Sequence, residues 1–207
     1  MSIKRQRGLT IIELVIFMVI MGVAAAGIIG VLNLSTKSSA DPLRRKQAML
    51  IAEAFMEEVQ LAPFTLCAPT DPNFGIPNTP CAGATVTVGG RALNAARPYT
   101  NVADYATALN TEQPTFAVNG VDRDVNGRAL GQDQNLNTMG NASLGGITTT
   151  VTLNLVGPAA ALGPNGRAIV STANNLVALH ITIITRYGGP NDFIRLDGYR
   201  TRYAPNN

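Results

Sequence analysis

Asp122, Asp124, Asn126 and Asp133 carry side-chain oxygens along one stretch, DRDVNGRALGQD, residues 122–133. Oxygens at alternate positions, with Gly127 at the bend, can wrap one Ca2+ as an EF-hand loop does. Asp133 then stands where a bidentate glutamate is usual. The flanks show no helical pattern, and Asp-x-Asn-Gly is also an ordinary hairpin turn. The turn is the commoner use of such residues, and Ca2+ is the one cofactor the sequence leaves open. Cys67 and Cys81 are the only cysteines, 14 positions apart, with no histidine near them. That composition is a poor zinc site and leaves one disulfide or two free thiols. The single histidine, His180, falls on the polar side of a strand, where a surface role is expected. NASLG at 141–145 puts Asn141 where a nucleophile elbow requires glycine, and no Walker loop, HExxH or CxxC occurs. Tyr199, Arg200, Arg202 and Tyr203 interleave aromatics with arginines, as single-strand nucleic-acid binders do. Strand alternation gives the same pattern without a ligand. The sequence therefore predicts neither an enzyme nor a nucleic-acid partner.

Glu13 is the residue that composition does not explain. It precedes Leu14–Leu32, 19 consecutive residues with no charge and no polar side chain. A membrane-crossing helix needs roughly 20 apolar residues, so this run qualifies. A carboxylate inside a bilayer costs on the order of 2.5–3.5 kcal/mol on insertion scales, and calls for a partner. Lys4, Arg5 and Arg7 precede the run and account for the whole excess of 16 basic over 13 acidic residues. The rest of the chain is neutral and carries no global basic field. The run is longer than the ~7–15 residues of a secretory signal, and Ala24, Ala25 and Ala26 are followed by more apolar sequence and no polar mature start. A retained anchor with its N-terminus in the cytoplasm fits better.

The segment Arg5-Gln6-Arg7-Gly8 followed by Leu9-Thr10-Ile11-Ile12-Glu13-Leu14 resembles the leader of the type IV pilin and pseudopilin family. The resemblance implies that a prepilin peptidase cuts between Gly8 and Leu9 and methylates the new N-terminal residue. Leu9 stands where phenylalanine is commonest. Glu13 becomes the fifth mature residue, the place of the family's glutamate. In a helical filament its carboxylate can pair with the Leu9 amine of a neighbouring subunit, each charge compensating the other. The partners implied are the peptidase, other pilin subunits and the bacterial inner membrane, with the head periplasmic and then at the pilus or cell surface.

Behind the apolar run, residues 33–40 are polar and weakly helical. Asp41 and Pro42 suit an N-cap and a first helical position, so a second helical segment is expected to start there. Ala48, Ile51, Ala52, Phe55 and Val59 recur at helical spacing. Arg44, Arg45, Lys46, Glu53, Glu57 and Glu58 lie largely off that stripe, the basic cluster as a solvated face near lipid headgroups. Pro63 ends the helix. The expected organisation is a leader at 1–8, a transmembrane and assembly helix at 9–34, an amphipathic helix at 35–62 and a head at 63–207. The cysteines lie in the exported part, where a disulfide is the expected state. Strands are expected at 84–88, 147–156, 176–184 and 193–203, with RYGGPND (186–192) as a hairpin turn and 91–146 mostly loop. The fold class is α+β and pilin-like: a long N-terminal helix packed on an antiparallel sheet.

DPLRRKQAMLIAEAFMEEVQLAPFTLC (41–67) and the ending GYRTRYAP resemble minor pilins of mannose-sensitive haemagglutinin (MSHA) pilus systems. That narrower likeness implies priming or capping of a pilus. A minor pseudopilin of a type II secretion system and a membrane-tethered periplasmic binding domain are the other readings.

Overall fold

The computed structural model describes residues 10–76, 79–83, 85–90, 96–138, 144, 146–157 and 169–202, with the backbone alone at 33–41. The chain forms two compact units, Met1–Arg44 and Arg45–Asn207. One helix, α1 (Ile11–Leu61), contributes to both. The sequence predicts a fresh helical start at Asp41-Pro42, but α1 continues through Pro42. Proline removes one backbone donor and crowds the preceding turn. The long helical runs on either side let the helix propagate across the weakly helical 33–40 stretch and that single lost bond, because nucleating a second helix is the harder step.

In the first unit, Ile11–Leu32 is exposed throughout. In the second, α1 buries Ala48, Ala52, Phe55, Met56 and Val59, with Ala62 buried just past its end; of the stripe expected from the spacing, Ile51 is half-buried, and Met56 is an addition. It packs on a sheet of three strands, β3 (Thr148–Leu155), β4 (Ala178–Arg186) and β5 (Phe193–Thr201), ordered β3-β4-β5 and all antiparallel. A separate small hairpin joins β1 (Ala117–Val118) to β2 (Val121–Asp122). Its Asn119-Gly120 turn has both residues at positive φ, 53° and 76°. This is the two-residue Asn-Gly signal, present in the sequence and passed over when 91–146 is read as loop.

Alternation sorts the sheet into two faces. Val151 and Leu153 of β3 register with Ile183 and Ile181 of β4, and all four are fully buried. On β5 the inward set is Ile194, Leu196, Gly198 and Arg200. A Cβ on Gly198 would lie 2.8 Å from Gln60 Nε2 and 3.2 Å from Met56 Sδ, so glycine lets α1 sit close to the sheet here. Loop residues complete the core. Phe55 stacks on Phe116 with ring centres 4.1 Å apart, and Tyr105 and Tyr99 extend the cluster. Their backbones are satisfied locally: Val102 N–H bonds to the Pro63 carbonyl and Asn110 N–H to that of Leu153.

The strand expected at 84–88 is absent. Ala84 lies outside the described residues, Thr85 makes an isolated bridge to Cys67, and Gly89 takes a φ of 91° in a turn. The Gly89-Gly90 punctuation is real, but the segment gains only the Thr85–Cys67 bridge and the Val86 N–H bond to the Leu66 carbonyl, too little pairing to extend into a strand.

Candidate functional site

The N–H groups of Glu13 and Leu14 both bond to the Thr10 carbonyl, at 3.1 and 3.2 Å. Glu13 therefore lies in the first turn of α1, where a carboxylate suits the helix dipole. Its side chain is exposed and has no ion-pair partner among the described residues. The helix around it, Ile11–Leu32, has a mean hydropathy of 2.7 and is long and apolar enough to cross a membrane. An uncovered apolar surface of this extent is one that lipid or other helices must cover. Gly8 and Leu9, the expected cleavage and methylation pair, lie outside the described residues.

A family model of the prokaryotic N-terminal methylation motif matches residues 3–29. The chain carries a pilin-type methylation motif at its N-terminus. The match supports a type IV pilin-like family and, with the apolar helix, membrane anchoring through Ile11–Leu32. No curated protein and no solved structure matches the chain.

In the head, Cys67 and Cys81 form a disulfide with Cα atoms 5.4 Å apart. The loop it closes is organised by Asp71, whose carboxylate accepts the N–H groups of Asn73, Ala82 and Gly83. Asp124 and Asp133 do the same work in their own turns. Asp124 Oδ1 accepts the N–H groups of Asn126 and Arg128, and Oδ2 is 2.7 Å from the Arg128 guanidinium. Asp133 Oδ1 accepts those of Asn135 and Asn137. These backbone donors hold both carboxyls below the usual carboxylate range. Asp-x-Asn thus recurs at 71, 124 and 133, each time closing a turn. Asp122 faces elsewhere and is buried. Among the described residues no three His, Cys, Asp or Glu side chains are grouped as a metal ion requires.

His180 sits on the outer face of β4. Its Nε2 is 3.0 Å from Asp197 Oδ1, and its ring stacks on Tyr199. Tyr199 is exposed on that face, whereas Arg200 turns inward and Arg202 is buried against Asn175. The two arginines therefore do not share the tyrosine's face, and Tyr203 lies outside the described residues. Of NASLG only Leu144 is described.

One cluster escaped the sequence reading. Glu58, expected off the packed stripe, is 3.3 Å from Arg97, and each side chain is only 9% exposed. Tyr105 donates its hydroxyl to Glu58 Oε1 at 3.0 Å. The Arg97 guanidinium lies over the rings of Phe55 and Phe116, 5.4 and 5.0 Å from their centres, and donates to the Arg123 carbonyl. Burial raises the Glu58 carboxyl, with Arg97 and the Tyr105 bond opposing it, and burial raises the Tyr105 phenol. Position 58 lies three residues from Phe55 and four from Ala62, so spacing alone places it at the border of the stripe. Its partner comes from a loop 39 residues away that the sequence does not bring near. Beside this cluster an apolar groove of about 690 Å3 runs along α1, lined by Leu50, Ala54, Leu61, Tyr99 and Val125.

Proposed function

We propose that this chain is a minor pilin of an MSHA-like type IV pilus, nearest to the minor pilin MshD in residues 41–67 and in its GYRTRYAP ending. The observation that carries the reading is the methylation motif over residues 3–29, with Gly8, Leu9 and Glu13 in register ahead of an uncovered apolar helix. Prepilin peptidase cuts after Gly8 and methylates Leu9. The chain then leaves the inner membrane through Ile11–Leu32, whose apolar surface exchanges lipid for the helices of other pilins. Glu13 pairs with the Leu9 amine of a neighbouring subunit, so neither charge stays unpaired in an apolar bundle. The head reaches the periplasm and the cell surface, where the disulfide is stable. The role is structural: priming or capping the filament.

Intact mass and N-terminal peptide spectrometry on membrane and sheared-surface fractions test this. The expected chain begins at N-methylated Leu9 and occurs in both fractions. A chain beginning at Met1 and confined to membranes returns the protein to a tethered periplasmic domain.

A further inference from the structure

The two edges of the β3-β4-β5 sheet differ. Beyond β3, residues 110–113 add bonds: Asn110 N–H to Leu153, and a mutual pair between Gln113 and Val151. Beyond β5, nothing among the described residues pairs. The bonds from Arg202 N–H to Val177 and from Tyr187 N–H to Asp192 fix the phase of β5 against β4. Even-numbered residues bond inward to β4. The N–H and C=O groups of Phe193, Arg195, Asp197 and Tyr199 therefore point outward along the open edge. Exposed edges are usually shortened, bulged, broken by proline or given charged side chains, and β5 uses only the last, at Arg195, Asp197 and the inward Arg200. This one is a regular nine-residue strand with no proline.

Its sequence, F-I-R-L-D-G-Y over 193–199, is complementary to its own reverse about Leu196. In an antiparallel pairing of two copies centred there, Arg195 of each faces Asp197 of the other, and Phe193 faces Tyr199. All four side chains are on the outer, exposed face. Inside, Leu196 meets Leu196 and Ile194 meets Gly198. Opposite charges and aromatic pairs are the cross-strand neighbours that stabilise antiparallel strands. A shift of the centre by one residue sets Arg195 against Arg195 or Asp197 against Asp197. The open donors and acceptors face each other only in the centred phase or in shifts of that kind. Four such residue pairs exchange about eight backbone hydrogen bonds.

We propose that the β5 edge is a homotypic docking strand that joins the heads of two copies through a two-fold axis at Leu196. The direction of approach follows from the head. Ile51 of α1 packs near Ile194, and Met56 and Gln60 lie at Gly198, so this stretch of helix runs along β5. A two-fold axis normal to the sheet reverses it, and the chains enter the paired heads from opposite ends. The contact lies wholly within the head, and it stands independently of processing at Gly8.

The test uses the full-length chain in detergent, as two preparations bearing different tags. Leu196→Cys, on mild oxidation after mixing, is expected to yield a disulfide-linked dimer carrying both tags. Tyr199→Cys is expected to yield at least tenfold less, since the two Tyr199 positions lie about 20 Å apart in this register. Without any new cysteine, Arg195→Asp and Asp197→Arg should each abolish co-capture of the two tags, and the double exchange should restore it. Absence of a mixed-tag dimer, or single reversals that co-capture like the parent chain, overturns the proposal.

Discussion

Asp122 has both carboxylate oxygens buried without a hydrogen-bond partner. The Thr149 N–H and hydroxyl act on the carboxyl without meeting hydrogen-bond geometry. Burial is the largest influence and raises the Asp122 carboxyl, with Thr149 and the Arg97 charge pulling it back. A carboxyl raised in the folded state stabilises the fold fully below its unfolded value of about 3.9, and that contribution is lost as pH rises through the folded value. At neutral pH the ionised group opposes folding. Asp122→Asn is therefore expected to raise stability at pH 7 by on the order of 1 kcal/mol, about 2–4 °C in melting temperature for a chain of this size. Melting curves from pH 7 to pH 4 check it. The gain should shrink toward acid, and an equal gain at both ends would remove the titration argument. The sequence marks Asp122 as the first residue of an oxygen-rich loop. Its burial follows from β2 packing against β3, a contact between segments 26 residues apart.

At the scale of elements, the Glu58–Arg97 link ties α1 to the segment that carries Tyr99, Tyr105 and Phe116 into the core. Removing one partner of a buried pair leaves an uncompensated charge and costs about 3–5 kcal/mol, while replacing both with apolar groups is near neutral. Arg97→Met alone is expected to destabilise the head by about 3 kcal/mol. Adding Glu58→Leu should recover most of that loss. Denaturant titrations of the two variants would read this, and equal losses would mean that Arg97 acts through its ring contacts alone. The amphipathic stripe of α1 and the strands β3, β4 and β5 are legible from spacing, because one buried face imposes period 3.6 or 2 on the residues. The expected strand at 84–88 is not formed, since short alternation is satisfied by a turn where no partner strand lies alongside. The β1–β2 hairpin was legible from Asn119-Gly120.

At the scale of the whole molecule, the N-terminal motif and the head make separate demands. Glu13→Ala leaves Gly8 and Leu9 intact, so cleavage should proceed at the parent rate while recovery in sheared filaments falls at least tenfold. Blots of membrane and sheared fractions would show it. Parent-like recovery of the variant would leave Glu13 without an assembly role. The sequence by itself determined the long apolar helix, the methylation motif, the helical stripe and the three long strands. Each rests on residues near in the chain, through an unbroken apolar run, a fixed register of charges or a regular period. Only the tertiary structure decided that Glu58 meets Arg97, that Asp122 is buried, that Asp124 and Asp133 each close a turn, and that nothing among the described residues pairs beyond β5. Those outcomes depend on which distant segments fill the space beside a residue, and neither residue type nor spacing encodes that.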